Sequence, residues 1–268
     1  MKTNLVFFLL VLCTTAYSQT KPVDVFTERK EGGAVIYARN NEHSPFSLLL
    51  DLDVSNMNFS KGTQSVFVIP PKAEKFEIGE LTAEPKKTYK FSYKYKTTMG
   101  DVTKKHDPSY IYDLPFEKGS RFKVFQGYNG SSSHRGQNAI DFTMQEGTPV
   151  LAARDGLVVK IVQHNNQSCA SEECKQYNNY VTILHEDGSF ASYVHIKYNG
   201  ALVKEGDAVK KGDKIALSGN VGYSSGPHLH FVCFQPDLEK YNTVETKFKI
   251  EGNRVGNLTE GTVYQRDY

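Results

Sequence analysis

Apolar and polar residues alternate along much of this chain with the two-residue period of β-strands, and no stretch of ordinary helix length repeats with the 3.6-residue period. The segment Lys90-Phe91-Ser92-Tyr93-Lys94-Tyr95-Lys96 alternates most cleanly, as a half-buried strand does. Short strands are predicted over 35–38, 46–54, 65–69, 76–78 and 88–95. Between them stand Asn40-Asn41, Lys61-Gly62, Pro70-Pro71 and Glu84-Pro85, all turn or breaker chemistry. This spacing predicts an immunoglobulin-like β-sandwich over residues 19–112. Pro108, Pro115 and Gly119 mark a junction, after which strands are predicted over 149–153, 156–162, 180–184 and 190–195. Glu186-Asp187-Gly188 reads as a hairpin turn. The chain is therefore expected to be all-β, with residues 113–245 forming a second domain and 246–268 a C-terminal β segment or tail.

The first residues break this pattern. Lys2, the apolar run over 5–13 and Ala16-Tyr17-Ser18 have the layout of a secretory signal peptide. Residues 1–18 are thus expected to be removed and the protein exported, to the periplasm or the medium. The run is too short for a transmembrane helix, and no later segment is apolar enough for one. Leu12 stands where a lipoprotein site needs a small residue, which argues against an anchor on Cys13. A formal net charge of +2 calls for no nucleic acid. No heptad or repeat specifies an oligomer. Cys169 and Cys174 are candidates for a small disulfide loop in an oxidising compartment, and Cys233 reads as a small buried hydrophobe.

His228 and His230 carry the sharpest chemical signal. They lead into the apolar Phe231-Val232-Cys233-Phe234, and residues two apart on a strand share a face. Two imidazoles facing one pocket suit metal binding or catalysis, although a pair of structural histidines fits equally well on this feature alone. His134, Asp141 and His195 fall at other predicted strand ends. A catalytic zinc site takes three ligands from His, Asp or Glu and leaves a fourth position open. This chain offers such a set.

Four segments in order resemble the lysostaphin-type zinc endopeptidases. They are His134 with Ala139-Ile140-Asp141-Phe142, the run Gly147-Thr148-Pro149-Val150-Leu151-Ala152-Ala153-Arg154-Asp155-Gly156, then Tyr193-Val194-His195, and Ser218-Gly219-Asn220-Val221-Gly222 followed by Gly226-Pro227-His228-Leu229-His230-Phe231. The resemblance covers about residues 116–234. It implies that 113–245 is a zinc peptidase domain with the antiparallel β-sandwich called the duplicated hybrid motif. It implies His134, Asp141 and His230 as Zn2+ ligands, His195 and His228 as the catalytic histidines, and peptidoglycan stem or cross-bridge peptides as substrate. Two departures stand out. Asp141 follows His134 by seven residues where the family commonly has four, so Arg135-Gly136-Gln137-Asn138 must form a wider loop. Val232 replaces an acidic residue common in relatives, a change expected to touch packing more than chemistry.

Tyr193, Asn220 and Tyr223 are candidate substrate contacts, Tyr193 because it is placed on the strand face of His195. Asn220, Tyr223 and Ser224 read equally well as plain turn residues. His43 and His106 sit in polar, turn-like contexts and read as solvated, His164 reads as a loop residue and His185 as a hairpin residue. A catalytically silent regulator of wall hydrolases is expected to lack part of the ligand set, which is filled here. A biotinyl- or lipoyl-type carrier, echoed by residues 203–213, leaves the histidines unexplained. A zinc peptidase acting on secreted proteins uses the same residues. The N-terminal region either holds the enzyme at its substrate or covers the groove. N-terminal sequencing of the exported protein is expected to begin at Gln19; a start at Met1, or at a lipidated Cys13, contradicts the leader reading.

Overall fold

Alternation of this kind needs a sheet with one face on a core, and the chain builds two such cores. A computed structural model describes residues 21–268; the expected leader over 1–18 lies outside the described residues. The N-terminal strands are β1 (Val23–Lys30), β2 (Gly33–Asn40), β3 (Phe46–Ser55), β4 (Met57–Phe59), β5 (Val66–Ile69), β6 (Phe76–Ala83) and β7 (Lys90–Met99). They form two sheets, ordered β1-β2-β6-β4 and β5-β3-β7, around a core that includes Ile36, Leu48, Ile69, Ile78 and Leu81.

Next in the chain come β8 (Ile111–Tyr112), β9 (Arg121–Gln126), β10 (Ala139–Phe142), β11 (Pro149–Leu151), β12 (Gly156–Val162) and β13 (Ser168–Cys169). A 3-10 turn (Glu172–Tyr177) precedes β14 (Tyr180–Leu184), β15 (Phe190–Val194), β16 (Ile196–Ala201), β17 (Ala208–Val209), β18 (Lys214–Ser218) and β19 (Gly222–Tyr223). The last strands are β20 (Leu229–Gln235), β21 (Asn242–Val244), β22 (Lys247–Ile250), β23 (Arg254–Gly256) and β24 (Val263–Gln265). Nine of these strands make one sheet, β17-β12-β14-β15-β20-β10-β9-β24 with β21 alongside β20. The sheet β11-β18-β16 contributes Val150, Ile196 and Ala216 to the same core. Among the described residues no helix is long and apolar enough to cross a membrane.

Register across the large sheet separates two faces. Val181, Tyr193, Phe231 and Ile140 are cross-strand partners, and all four are buried in the core. One residue along, Tyr180, Val194, His230, Asp141 and Gln126 are partners across five strands on the opposite face. The two-residue period thus puts a wall of apolar side chains directly behind a row of chemistry.

The C-terminal residues belong to this core. β22 pairs with β8 and β24 with β9. Phe248 and Tyr112 are fully buried, and the Phe248 ring lies 5.7 Å from Phe231 and 6.1 Å from Tyr112. Tyr112, expected with the N-terminal sandwich, is therefore part of the second core, and residues 246–268 are β structure rather than a free tail.

The connecting segment lies along the β14–β15 turn. Lys104 Nζ donates to the Glu186 carbonyl, and Asp107 N–H to Asp187 Oδ2 at 2.9 Å. Arg154 Nη1 donates to the same Oδ2 at 2.8 Å, with its guanidinium 3.9 Å from the centre of the Tyr110 ring. His106, expected to be solvated, has a side chain only 8% exposed, with Nδ1 3.5 Å from Asp187 Oδ2. The His43 ring likewise packs beside Gly206, in the exposed turn before β17. Both corrections have one cause: the turns that carry these histidines dock against other parts of the chain. His164 is exposed, and His185 is buried with Nδ1 donating to the Asp155 carbonyl. The N-terminal sheets thus sit at the turn end of β14 and β15.

Phe248→Ala is expected to cost about 3–5 kcal/mol in the unfolding of the second core, by lost burial and a cavity. The half-exposed Phe125→Ala is expected to cost about 0.5 kcal/mol or less. Chemical denaturation of both variants measures this, and a small effect of Phe248→Ala contradicts a shared cooperative core.

Candidate active site

The row on the open face of the large sheet forms the floor of a groove of about 440 Å³. One wall is the loop between β9 and β10, with Ser132, Ser133 and Gln137; the other is the 3-10 turn with Tyr223, Ser224 and Ser225. All lining residues lie between Phe125 and Tyr241, so among the described residues none from the N-terminal sheets reaches the groove.

Asp141 lies at the centre and is only 1% exposed. Its Oδ1 is 2.9 Å from His230 Nδ1, and its Oδ2 is 3.2 Å from His134 Nε2 and accepts a hydrogen bond from Gln126 Nε2 at 3.0 Å. The wider loop after His134 turns back on itself: Gln137 N–H donates to the His134 carbonyl, and Asn129 N–H to that of Gln137. This leaves the His134 ring fully buried, with Nε2 3.1 Å from His230 Nδ1. Ligand atoms of His134, Asp141 and His230 all lie within 4.8 Å of one another.

The donor set calls for positive charge. His134 Nδ1–H donates to the Gly127 carbonyl at 3.0 Å, so its Nε2 donates to Asp141 Oδ2 when the ring is charged and offers a lone pair to a metal when it is neutral. Burial opposes ionisation of Asp141, yet hydrogen bonds from His134 and His230 hold its carboxyl well below the usual carboxylate range. Burial likewise opposes a charged His134, and bonding to Asp141 still raises its pKa. Two nitrogen donors and one oxygen donor converging in a dry site fit a divalent metal with an open coordination position.

His228 and His195 stand beside this cluster without joining it. Their ring centres are 4.5 Å apart, and His195 lies 5.8 Å from His230. His195 Nδ1–H donates to the Val221 carbonyl and His228 Nδ1–H to the Gly226 carbonyl, each at 2.8 Å. Those bonds leave both Nε2 atoms as lone-pair acceptors when the rings are neutral. Burial pushes His195 down to about 3, reinforced by His228 and His230, and burial also lowers His228.

The position of His195 depends on a backbone kink. Its φ is +65°, in the left-handed region that a residue with a Cβ seldom adopts. The chain leaves β15 of the large sheet here and enters β16 of the small one, and its N–H donates to the buried Asn179 carbonyl at 2.8 Å. Gly219 lets the opposite segment approach, since a Cβ there would lie 2.8 Å from the His195 carbonyl oxygen. The kink also breaks the alternation, which corrects the expected role of Tyr193. That residue is fully buried, its hydroxyl accepting from Ala153 N–H at 2.7 Å, and it does not share the groove face with His195. Asn220 is a second correction. It does not line the groove but accepts a hydrogen bond from Ser224 Oγ at 2.6 Å, and Ser224 Oγ in turn lies 3.2 Å from His228 Nδ1. Tyr223 does line the groove.

Two groups here carry no sequence signal. Gln126 joins Asp141 to the loop of His134: its Nε2 also donates to Ser133 Oγ, and its Oε1 accepts from Ser132 and Ser133 N–H. Only the cross-strand register with Asp141 identifies it. The second is the 3-10 turn as a wall of the groove; the disulfide that closes it, Cys169–Cys174, is the pairing the sequence offers.

Residues 135–242 match the model of peptidase family M23. The chain is 33% identical over 162 residues to an uncharacterized metalloprotease of Buchnera aphidicola, covering 54% of this chain and 39% of that protein. It is 32% identical over 137 residues to peptidoglycan DD-endopeptidase ShyA of Vibrio cholerae, covering 51% and 29%. It is 34% identical over 139 residues to lysostaphin of Staphylococcus simulans, covering 51% and 24%. The chain therefore spans less than half the length of these relatives. The solved catalytic domain of S. simulans lysostaphin aligns at 28% identity over 47% of this chain and 82% of that one, with a TM-score of 0.33. Asp141, His195, His228 and His230 all fall inside the matched span, and the chain carries a lysostaphin-type domain of peptidase family M23.

Proposed function

We propose that this chain is an exported zinc endopeptidase that hydrolyses peptide bonds in bacterial peptidoglycan. The observation that carries the reading is the convergence of His134, Asp141 and His230 beside two neutral histidines in one open groove. The substrate class follows from the named relatives, ShyA and lysostaphin among them. Export is supported by the Cys169–Cys174 disulfide, since such bonds persist in oxidising compartments. The N-terminal sheets, with four and three strands around one core, are read as an immunoglobulin-like sandwich.

His134 Nε2, an Asp141 oxygen and His230 Nδ1 are the proposed ligands. Zinc, when bound, supplies Lewis acidity and makes water acidic enough to attack near neutral pH. Asp141 offsets part of the metal's charge, and Gln126 fixes the carboxylate through Oδ2. His195 and His228, neutral above their lowered pKa values, present Nε2 toward the reacting centre. One accepts the proton of the attacking water as the new C–O bond forms. The imidazolium so formed stabilises the tetrahedral oxyanion, with the second ring beside it at 4.5 Å between ring centres. The C–N bond then breaks, and the leaving amine takes up the proton first removed from water.

Purified protein on defined muropeptides, with products read by mass spectrometry, tests this reading. Chelation is expected to abolish cleavage and zinc to restore it. His195→Ala and His228→Ala are each expected to keep stoichiometric zinc while losing about 10²–10⁴-fold in kcat/KM. His230→Ala and Asp141→Ala are expected to lose the metal. Cleavage that survives complete metal removal, or full zinc in His230→Ala, contradicts the reading.

A further inference from the structure

We propose that Lys175 forms a carboxylate-binding subsite in the groove, so that the enzyme favours peptides carrying a free carboxylate over their carboxamide forms. This rests on the peptidase reading above and specifies its substrate further. The first observation is charge. Among the described residues that line the groove, Lys175 is the one Lys or Arg, and Asp141 is the one carboxylate. Asp141 is buried and committed to His134 and His230, so it does not neutralise the opening. The metal of the proposed centre adds further positive charge. A groove of this sign attracts anionic peptide groups and disfavours cationic ones.

The second observation is rigidity. Lys175 directly follows Cys174, whose disulfide to Cys169 closes the turn. The turn is tied to the opposite segment by parallel pairing of Ser168-Cys169 with Gly222-Tyr223, by Ser224 N–H donating to the Cys169 carbonyl, and by Tyr223 N–H donating to Asn178 Oδ1 at 2.9 Å. Gly222 permits this contact, since its φ is +89° and a Cβ there would lie 2.1 Å from Asn178 Oδ1. The turn that carries Lys175 is therefore pinned to the segment that leads into His228. A charged group on a fixed support loses little conformational entropy when it binds.

The third observation is availability. In the folded protein Lys175 Nζ lies 2.9 Å from Glu172 Oε1, a pair whose side chains are 50% and 78% exposed. Exposed pairs of this spacing are weak. A substrate carboxylate that reaches the groove can replace Glu172, while Lys175 Nζ stays 5.5 Å from the centre of the Tyr223 ring.

The test uses a synthetic cross-linked stem peptide with free carboxylates and a set of analogues in which each carboxylate in turn is a carboxamide. With wild-type enzyme, one amidation is expected to lower kcat/KM about tenfold, the scale of one charge-assisted contact. In Lys175→Met that same amidation is expected to have no effect, because the acidic peptide has already lost its advantage, while the amidated peptide is cleaved as by wild type. Lys175→Arg is expected to keep the preference. Equal loss on every analogue in Lys175→Met, or no loss on any, overturns the subsite and leaves the peptidase reading standing. If wild-type enzyme holding zinc cleaves none of the peptides, the peptidoglycan reading fails and the subsite with it.

Discussion

A buried carboxylate next to two histidines is the constraint on which this fold turns. Asp141 is almost wholly removed from water, and an isolated charge there would be very costly. Three partners compensate it: His230 directly across the strand ladder, His134 from a loop folded over the sheet, and Gln126 from the strand on the other side. None of the three approaches by chance. Two are set by sheet register, and the third by a loop whose closing hydrogen bonds run through Gln137. A one-residue slip between β10 and β20 would turn Asp141 into the core and put Ile140 in the groove.

Much of this arrangement is legible in the amino-acid pattern itself. His228 and His230 share a face because the strand beneath them is regular, and Leu229 and Phe231 point the other way into the core. The strands over 156–162 and 180–184 have the bounds their pattern predicts, because their apolar residues are dense and their ends carry turn chemistry. β1 escapes prediction because its apolar residues end at Phe26, and the outer half is polar on both faces. The wide loop after His134 is legible as a spacing but not as a path.

Where the pattern misleads, a local backbone state or a distant partner is responsible. Simple alternation places Tyr193 with His195, and a single left-handed residue at a sheet-to-sheet crossing reverses that parity. The strain at this position is what turns the His195 ring toward the groove while Tyr193 stays in the core. His106 has polar neighbours in sequence, which suggest a solvated ring; its burial comes from Asp187 and Gln235, far along the chain. Gln126 has no motif of its own and gains its position through cross-strand register. The N-terminal sheets dock at the β14–β15 turn, while Tyr180 and Val194 at the other ends of these strands line the groove. That placement leaves the site open while tying both parts of the protein to the same pair of strands.

The central claim is that His134, Asp141 and His230 form one zinc centre with an open position. X-ray absorption at the zinc edge of the purified protein tests it most directly. The account predicts one zinc per chain, with nitrogen and oxygen scatterers only at about 2.0–2.1 Å, two of them imidazole. A sulfur shell at about 2.3 Å, or a purified active protein with no stoichiometric metal, would contradict it.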